Sequence, residues 1–162
     1  MHGGNTLGIS LNTRMLSLAV ISPHFSLVHY SNKLYKEKWS PFKSSVILSS
    51  VASCLRDYNI GSVVLSSPTE SYQTKELNTL YQSIKELANE YKVTITEISK
   101  KSLRNLCPEG EKKNKKTQMQ TVVRFFDELV PHYQKEMRNK NKYYEKLFEA
   151  VGSLLVASMD EK

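Results

Sequence analysis

Apolar residues change their period along this chain, and each change predicts an element. Residues 6–12, Thr-Leu-Gly-Ile-Ser-Leu-Asn, read as a short strand that ends in a polar turn at Asn12-Thr13-Arg14. Residues 15–21, Met-Leu-Ser-Leu-Ala-Val-Ile, read as a second strand, apolar enough to be buried on both faces. Ser22-Pro23-His24 is a turn, and a third strand runs from Phe25 to Tyr30, extending toward Tyr35. Three strands joined by short turns predict an antiparallel meander. Trp39-Ser40-Pro41-Phe42 then breaks the strand pattern. Beyond it Ile47, Val51, Leu55 and Tyr58 recur at helical spacing, with Ser44 or Ser45 as the expected N-cap and Gly61 as the expected left-handed C-cap.

Ser62 to Leu65 is a short apolar strand, ended by Ser66-Ser67-Pro68. Leu77, Leu80, Tyr81, Ile84, Leu87, Ala88 and Tyr91 form the clearest amphipathic stripe and predict a helix over 73–91. Val93 to Glu97 is β-branched and reads as a strand, followed by a short helix over 99–107 and a loop at Cys107-Pro108-Glu109-Gly110. Met119, Val122, Val123, Phe126, Leu129 and Val130 mark another helix, closed by Pro131. Residues 132–142 are polar and basic, and Leu147, Phe148, Val151, Leu154 and Leu155 mark a last helix. This order predicts an α/β fold, with the meander extended by parallel crossovers into a mixed five-stranded sheet that has helices on both faces. No internal repeat or long linker divides the 162 residues, so a single domain over 1–162 is expected.

Composition narrows the class. With 40% hydrophobic and 24% charged residues the chain is globular in character, long enough to bury a core without a disulfide or metal staple. No apolar run approaches the roughly 18 residues of a membrane span. Met1-His2-Gly3-Gly4 has no basic stretch followed by an apolar run, so neither a membrane anchor nor a secretory signal is expected. Cys54 and Cys107 are too few for a disulfide framework and lack zinc spacing, so both are expected to be structural thiols in a reducing cytoplasm. The four histidines, His2, His24, His29 and His132, show no metal spacing either and read as surface or turn residues. No glycine-rich phosphate loop occurs, so nucleotide binding has no support.

Charge adds a candidate partner. The formal net charge is +7, and a basic balance of this kind suits polyanions. Residues 1–60 hold six basic and two acidic residues, 61–110 hold six of each, and 111–162 hold eleven and eight. The excess therefore sits at the two ends. Lys112, Lys113, Lys115 and Lys116 form the densest run, ahead of a helix whose N-terminal N–H groups suit phosphate; the same run also reads as a solvated loop. Lys135, Arg138, Lys140 and Lys142 stand beside Tyr143 and Tyr144, a mixture that suits backbone contacts and base stacking or, equally, an inter-helix loop with tyrosines turned inward. Trp39 to Phe42 reads as core packing or as an aromatic platform.

Particular residues within this order resemble those of one family. Leu7-Gly8-Ile9-Ser10-Leu11-Asn12-Thr13-Arg14 with Leu16 to Ile21 resembles the opening strand pair of the RuvC-type Holliday junction resolvases, of the ribonuclease H-like superfamily. Val63-Val64-Leu65-Ser66 resembles that family's fourth strand, and Val93 to Ile98 with Lys101-Ser102-Leu103 its fifth strand and the segment after it. Lys115-Lys116-Thr117-Gln118 resembles its lysine-containing helix start, and Glu149-Ala150-Val151-Gly152-Ser153-Leu154-Leu155 its last helix.

The resemblance implies a ribonuclease H-like fold, a homodimer and DNA as partner. It also implies four carboxylates holding divalent metal ions, and here the chain departs from the pattern. The equivalent positions are Ser10, Ser66, Lys146 and Glu149, of which Glu149 alone is acidic. Hydroxyls are poor ligands for Mg²⁺, and a lysine repels it. Glu70 and Glu145 are the possible substitutes, joining Glu149 in a relocated site, or else Glu70, Glu145 and Glu149 are solvated surface glutamates pairing with Lys146, Lys142 and similar neighbours. The expected function is a catalytically inactive RuvC-like protein that binds branched or structured DNA and needs no cofactor. Its expected binding residues are Arg14, Lys112, Lys113, Lys115, Lys116, Arg138, Lys140 and Lys142. The alternatives are a divergent Mg²⁺-dependent endonuclease or resolvase and a structural or dimerisation module that binds no nucleic acid.

Overall fold

A computed structural model describes residues 4–67, 74–140 and 142–160. Five strands, β1 (Asn5–Leu11), β2 (Met15–Ile21), β3 (Leu27–Leu34), β4 (Ile60–Ser67) and β5 (Thr94–Ser99), form one sheet in the order β3-β2-β1-β4-β5. The first three pair antiparallel, while β4 runs parallel to β1 and β5 parallel to β4. The helices are α1 (Pro41–Asp57), α2 (Lys75–Glu90), α3 (Lys115–Phe125), α4 (Val130–Arg138) and α5 (Glu145–Asp160), with 3₁₀ turns at Lys100–Leu106 and Asp127–Leu129. The mixed five-stranded sheet, antiparallel over β1–β3 and parallel at β4 and β5, is as the sequence predicts. No helix among the described residues is long and apolar enough to cross a membrane.

Strand periodicity explains the layers. Side chains alternate across a sheet, so each apolar strand supplies two faces. Leu7, Ile9 and Leu11 of β1, Leu16, Leu18 and Val20 of β2, and Val63 and Leu65 of β4 pack with α1 and α2. Ala19, Ile21, Val64 and Ile98 turn the other way, onto α3 and α5. On that second face β1 and β2 carry small residues, Gly8, Ser10, Ser17 and Ala19. A Cβ on Gly8 would lie 2.7 Å from the Ala150 carbonyl oxygen and 2.7 Å from Leu154 Cγ. The missing side chain is what lets the backbone of α5 rest against β1.

A buried acid sets where α5 begins. Glu136 of α4 is 1% exposed, and its Oε1 accepts hydrogen bonds from the N–H groups of Tyr143 and Tyr144, both at 3.0 Å. Those donors belong to the free N-terminal end of α5, where a negative charge also meets the positive end of the helix dipole. Asn32 of β3 ties the same segment to the sheet, donating to the Tyr143 carbonyl at 2.7 Å and accepting from the Ser17 hydroxyl.

Four expectations about element ends are corrected. The cap of α1 is Ser40, whose Oγ accepts from Lys43 N at 3.1 Å, rather than Ser44 or Ser45. Pro41 starts that helix because its ring presets φ and its missing N–H costs nothing in the first turn. After α1 the left-handed residue is Asn59 (φ 49°), and Gly61 lies inside β4. Pro131 does not close a helix; α3 stops at Phe125 and Pro131 sits in the first turn of α4. Residues 132–142 are therefore largely helical rather than a loop. Trp39 packs on the core while Phe42 is 77% exposed, so the tetrapeptide divides between its two readings. Cys54 and Cys107 are buried free thiols, as expected.

Gly8→Ala tests the close approach directly. Overpacking against a helix backbone should lower stability by about 1–3 kcal/mol. Urea unfolding should show a lower midpoint with an unchanged slope.

Candidate functional site

The end of the sheet where β1 and β4 finish gathers the polar groups of the core. The parallel register Ile9↔Leu65 places Ser10 and Ser66 side by side, on the face covered by α5. Both residues are 1% exposed. The Ser10 hydroxyl donates to Glu149 Oε2 at 2.8 Å, and the Lys146 ammonium donates to the same oxygen at 3.0 Å. Lys100, from the 3₁₀ turn after β5, brings its Nζ to 3.8 Å from Glu149 Oε1. Ser66 Oγ is buried with no hydrogen-bond partner among the described residues. From the far side of the sheet Tyr81 of α2 donates to the Ser66 carbonyl at 2.9 Å, with the Leu11 carbonyl at 3.4 Å, and so joins the two strand ends.

Burial dominates the electrostatics here. It lowers Lys100 to about 8, against the attraction of Glu149, and the nearby Lys146 and Lys115 lower it further. Burial also pushes the Tyr81 hydroxyl well above its ordinary range, with the charges of Glu149 and Glu97 adding to the effect. The Glu149 carboxylate is thus held between two ammonium groups and one hydroxyl. It is not the surface glutamate of one sequence reading, since it is 7% exposed.

These residues do not fit a divalent metal pair. Such ions need several anionic oxygens. Glu149 is the one carboxylate among Ser10, Ser66, Lys146 and Glu149, and both of its oxygens face ammonium groups. No group of three or more His, Cys, Asp or Glu among the described residues is placed to hold a metal ion. Of the possible substitutes, Glu145 is ion-paired with Lys115, and Glu70 lies outside the described residues.

The basic residues named from sequence differ in availability. Arg14 is exposed in the β1–β2 turn, as are Lys112 and Lys113 before α3 and Lys116 in its first turn. Lys115 is committed to Glu145, which clips the start of α3 to the start of α5. Arg138 and Lys140 are exposed at the end of α4. Lys142 is a loop staple instead, donating to the carbonyls of Glu136 at 2.9 Å and Asn139 at 3.4 Å. Two histidines read as surface groups are half-buried: His29 stacks on Tyr58, and His132 Nε2 lies 3.0 Å from the Tyr30 hydroxyl.

Sequence reasoning missed Lys100, Tyr81 and Glu136. Tyr81 was legible only as one apolar position of a helical stripe. Lys100 sits in a segment without strong periodicity, and Glu136 in one read only as polar and basic.

Two outcomes follow from this geometry. Lys146→Met removes the closest cation from a buried carboxylate and should cost about 3 kcal/mol. Lys146→Met with Glu149→Gln should lose less than the two single changes summed, read from a double-mutant cycle of urea unfolding. Lys100 also makes stability depend on pH. Its pKa is lowered from 10.5 to about 8 on folding, so between those values the unfolded chain holds a proton the folded chain has released. Stability contributed by this group should therefore rise with pH across that window, and Lys100→Met should flatten the rise.

No family model matches the chain, and no curated protein matches it. Solved structures do match. The RuvC of Thermus thermophilus in complex with a Holliday junction substrate superposes with a TM-score of 0.71 at 14% identity, covering 96% of each chain. A second Thermus thermophilus RuvC structure gives 0.69 at 14% identity, again over 96% of each. A Fowlpox virus resolvase complexed with Holliday junction DNA gives 0.53 at 12% identity, over 96% of this chain and 98% of that one. By fold, this chain is ribonuclease H-like in the arrangement of the RuvC resolvases.

Proposed function

We propose that the chain binds nucleic acid, branched or structured DNA foremost, and does not cut it by metal-dependent hydrolysis. The observation that carries this reading is the engagement of Glu149 by Lys146 and Ser10 at the end of β1. One carboxylate with an ammonium group beside each of its oxygens repels a divalent cation and offers it too few anionic ligands. Binding is supported by exposed basic residues, Arg14, Lys112, Lys113, Lys116, Arg138 and Lys140. Further support comes from the fold, since two of the similar structures hold junction DNA. Lys115 and Lys142 contribute less, because their ammonium groups already serve Glu145 and two backbone carbonyls. No metal cofactor enters this reading. A homodimer and a cytoplasmic setting belong to the proposal, the latter supported by two buried free thiols.

Fluorescence anisotropy on a four-way junction and a matched duplex tests it. Affinity should fall steeply between about 50 and 200 mM salt, as counterion release requires. Both DNAs should remain intact in Mg²⁺ or Mn²⁺. Absence of binding at low salt would favour a structural or dimerisation module. Cleavage that disappears in Glu149→Gln would favour the divergent endonuclease.

A further inference from the structure

The cluster around Glu149 has more cation than it can neutralise. Lys100 and Lys146 face one carboxylate, Glu149, while Lys115 and Glu145 pair beside them. Three ammonium groups against two carboxylates leave one positive charge in excess at the edge of a buried site. Lys146 is 9% exposed at its side chain and Lys100 26%, so solvent screens this excess poorly. The two ammonium groups also carry more N–H donors than the two Glu149 oxygens can accept. One strand over from Ser10, the Ser66 hydroxyl is buried without a partner among the described residues, although buried hydroxyls are almost always paired.

An excess positive charge, spare ammonium donors and an orphaned hydroxyl together describe the complement of a single monoanion bearing several oxygens. We propose that Lys100 and Lys146, backed by Ser66, form a cradle for one phosphate group of a nucleic-acid backbone, held by the protein's own ammonium groups without a divalent cation. This rests on the nucleic-acid reading above and adds to it a specific contact residue, Lys100, that also controls affinity.

The control comes from the proton on Lys100. Its charged form is held poorly in the free protein, and the groups facing it are Glu149 and Lys146 of α5 and Lys115 of α3. A phosphate beside it would favour the charged form, so by linkage protonation must favour the phosphate. Lys100 is charged below about 8 and neutral above it. Affinity should therefore drop as pH rises from 7 to 9, in a range where exposed lysines stay charged.

Junction binding is measured by anisotropy at pH 7 and pH 9 in EDTA, for the wild type and for Lys100→Met, Lys100→Arg and Lys112→Gln. The wild type should weaken by about 3- to 10-fold at the higher pH, the scale of one charge-assisted contact. Lys100→Arg, charged throughout, should bind equally at both values. Lys100→Met should bind weakly at both, with its salt slope reduced by about one. Lys112→Gln should weaken binding but keep the pH response. Inorganic phosphate titrated into the DNA-free protein should shift the backbone amide resonances of residues 10, 66, 146 and 149, and Lys100→Met should lose those shifts. Junction binding that is unchanged in Lys100→Met overturns the cradle and leaves the nucleic-acid reading standing. Phosphate shifts without any junction binding overturn that reading and keep the anion site. Absence of both overturns the cradle outright.

Discussion

The closeness of α5 to β1 across Gly8 is the constraint on which the rest of this structure depends. Helix and sheet ordinarily keep side chains between them, but at Gly8 the Ala150 carbonyl and Leu154 occupy the space a Cβ would need. The small residues Ser10, Ser17 and Ala19 extend the same shallow track over β1 and β2. Because α5 rests so low on the sheet, Glu149 reaches Ser10, and Lys146 follows one turn away. The start of α5 is held by Glu136 and Asn32, so the helix is fixed along its axis as well as in height. Fixing both coordinates is what converts three separate polar residues into one cluster.

That cluster solves an electrostatic problem in an unusual currency. The resemblance in sequence implies several carboxylates at these positions, balanced by metal ions. This chain keeps one carboxylate and balances it with lysine. A buried ion pair gives little net stability against an apolar alternative, but losing one member leaves an uncompensated charge. Lys146 and Glu149 are therefore coupled in a way surface pairs are not. Lys100 is the looser partner, further from Glu149 and more exposed, and its pKa is lowered first by burial and then by the neighbouring Lys146 and Lys115.

The element pattern was legible wherever one physical cause acted alone. Alternating and continuous apolar runs predicted β1, β2 and β4, and the stripe from Leu77 to Tyr91 predicted α2. Ends were less legible because two causes compete there. Ser40 and Ser44 both cap well in isolation, and Pro41 decides between them by starting the helix. Asn59 and Gly61 both tolerate left-handed backbone, but strand pairing with β1 claims Ile60 and its successors for β4. Pro131 ends a helix and begins one by the same chemistry, so its role depends on whether the preceding residues are still helical.

Local periodicity and composition by themselves determined the fold class, the strand directions and the excess of base at the two ends. Resemblance in the strand and helix motifs pointed to Ser10, Ser66, Lys146 and Glu149. Only the tertiary structure decided that Ser10, Lys146 and Glu149 are bonded to one another, that Lys100 approaches from a turn more than forty residues before α5, and that Lys142 and Lys115 are already committed. The reason is range. Periodicity reports which face of an element is buried, within a few residues of each position. Whether a lysine meets a carboxylate, a carbonyl or solvent depends on groups brought together by packing, and no local pattern carries that information.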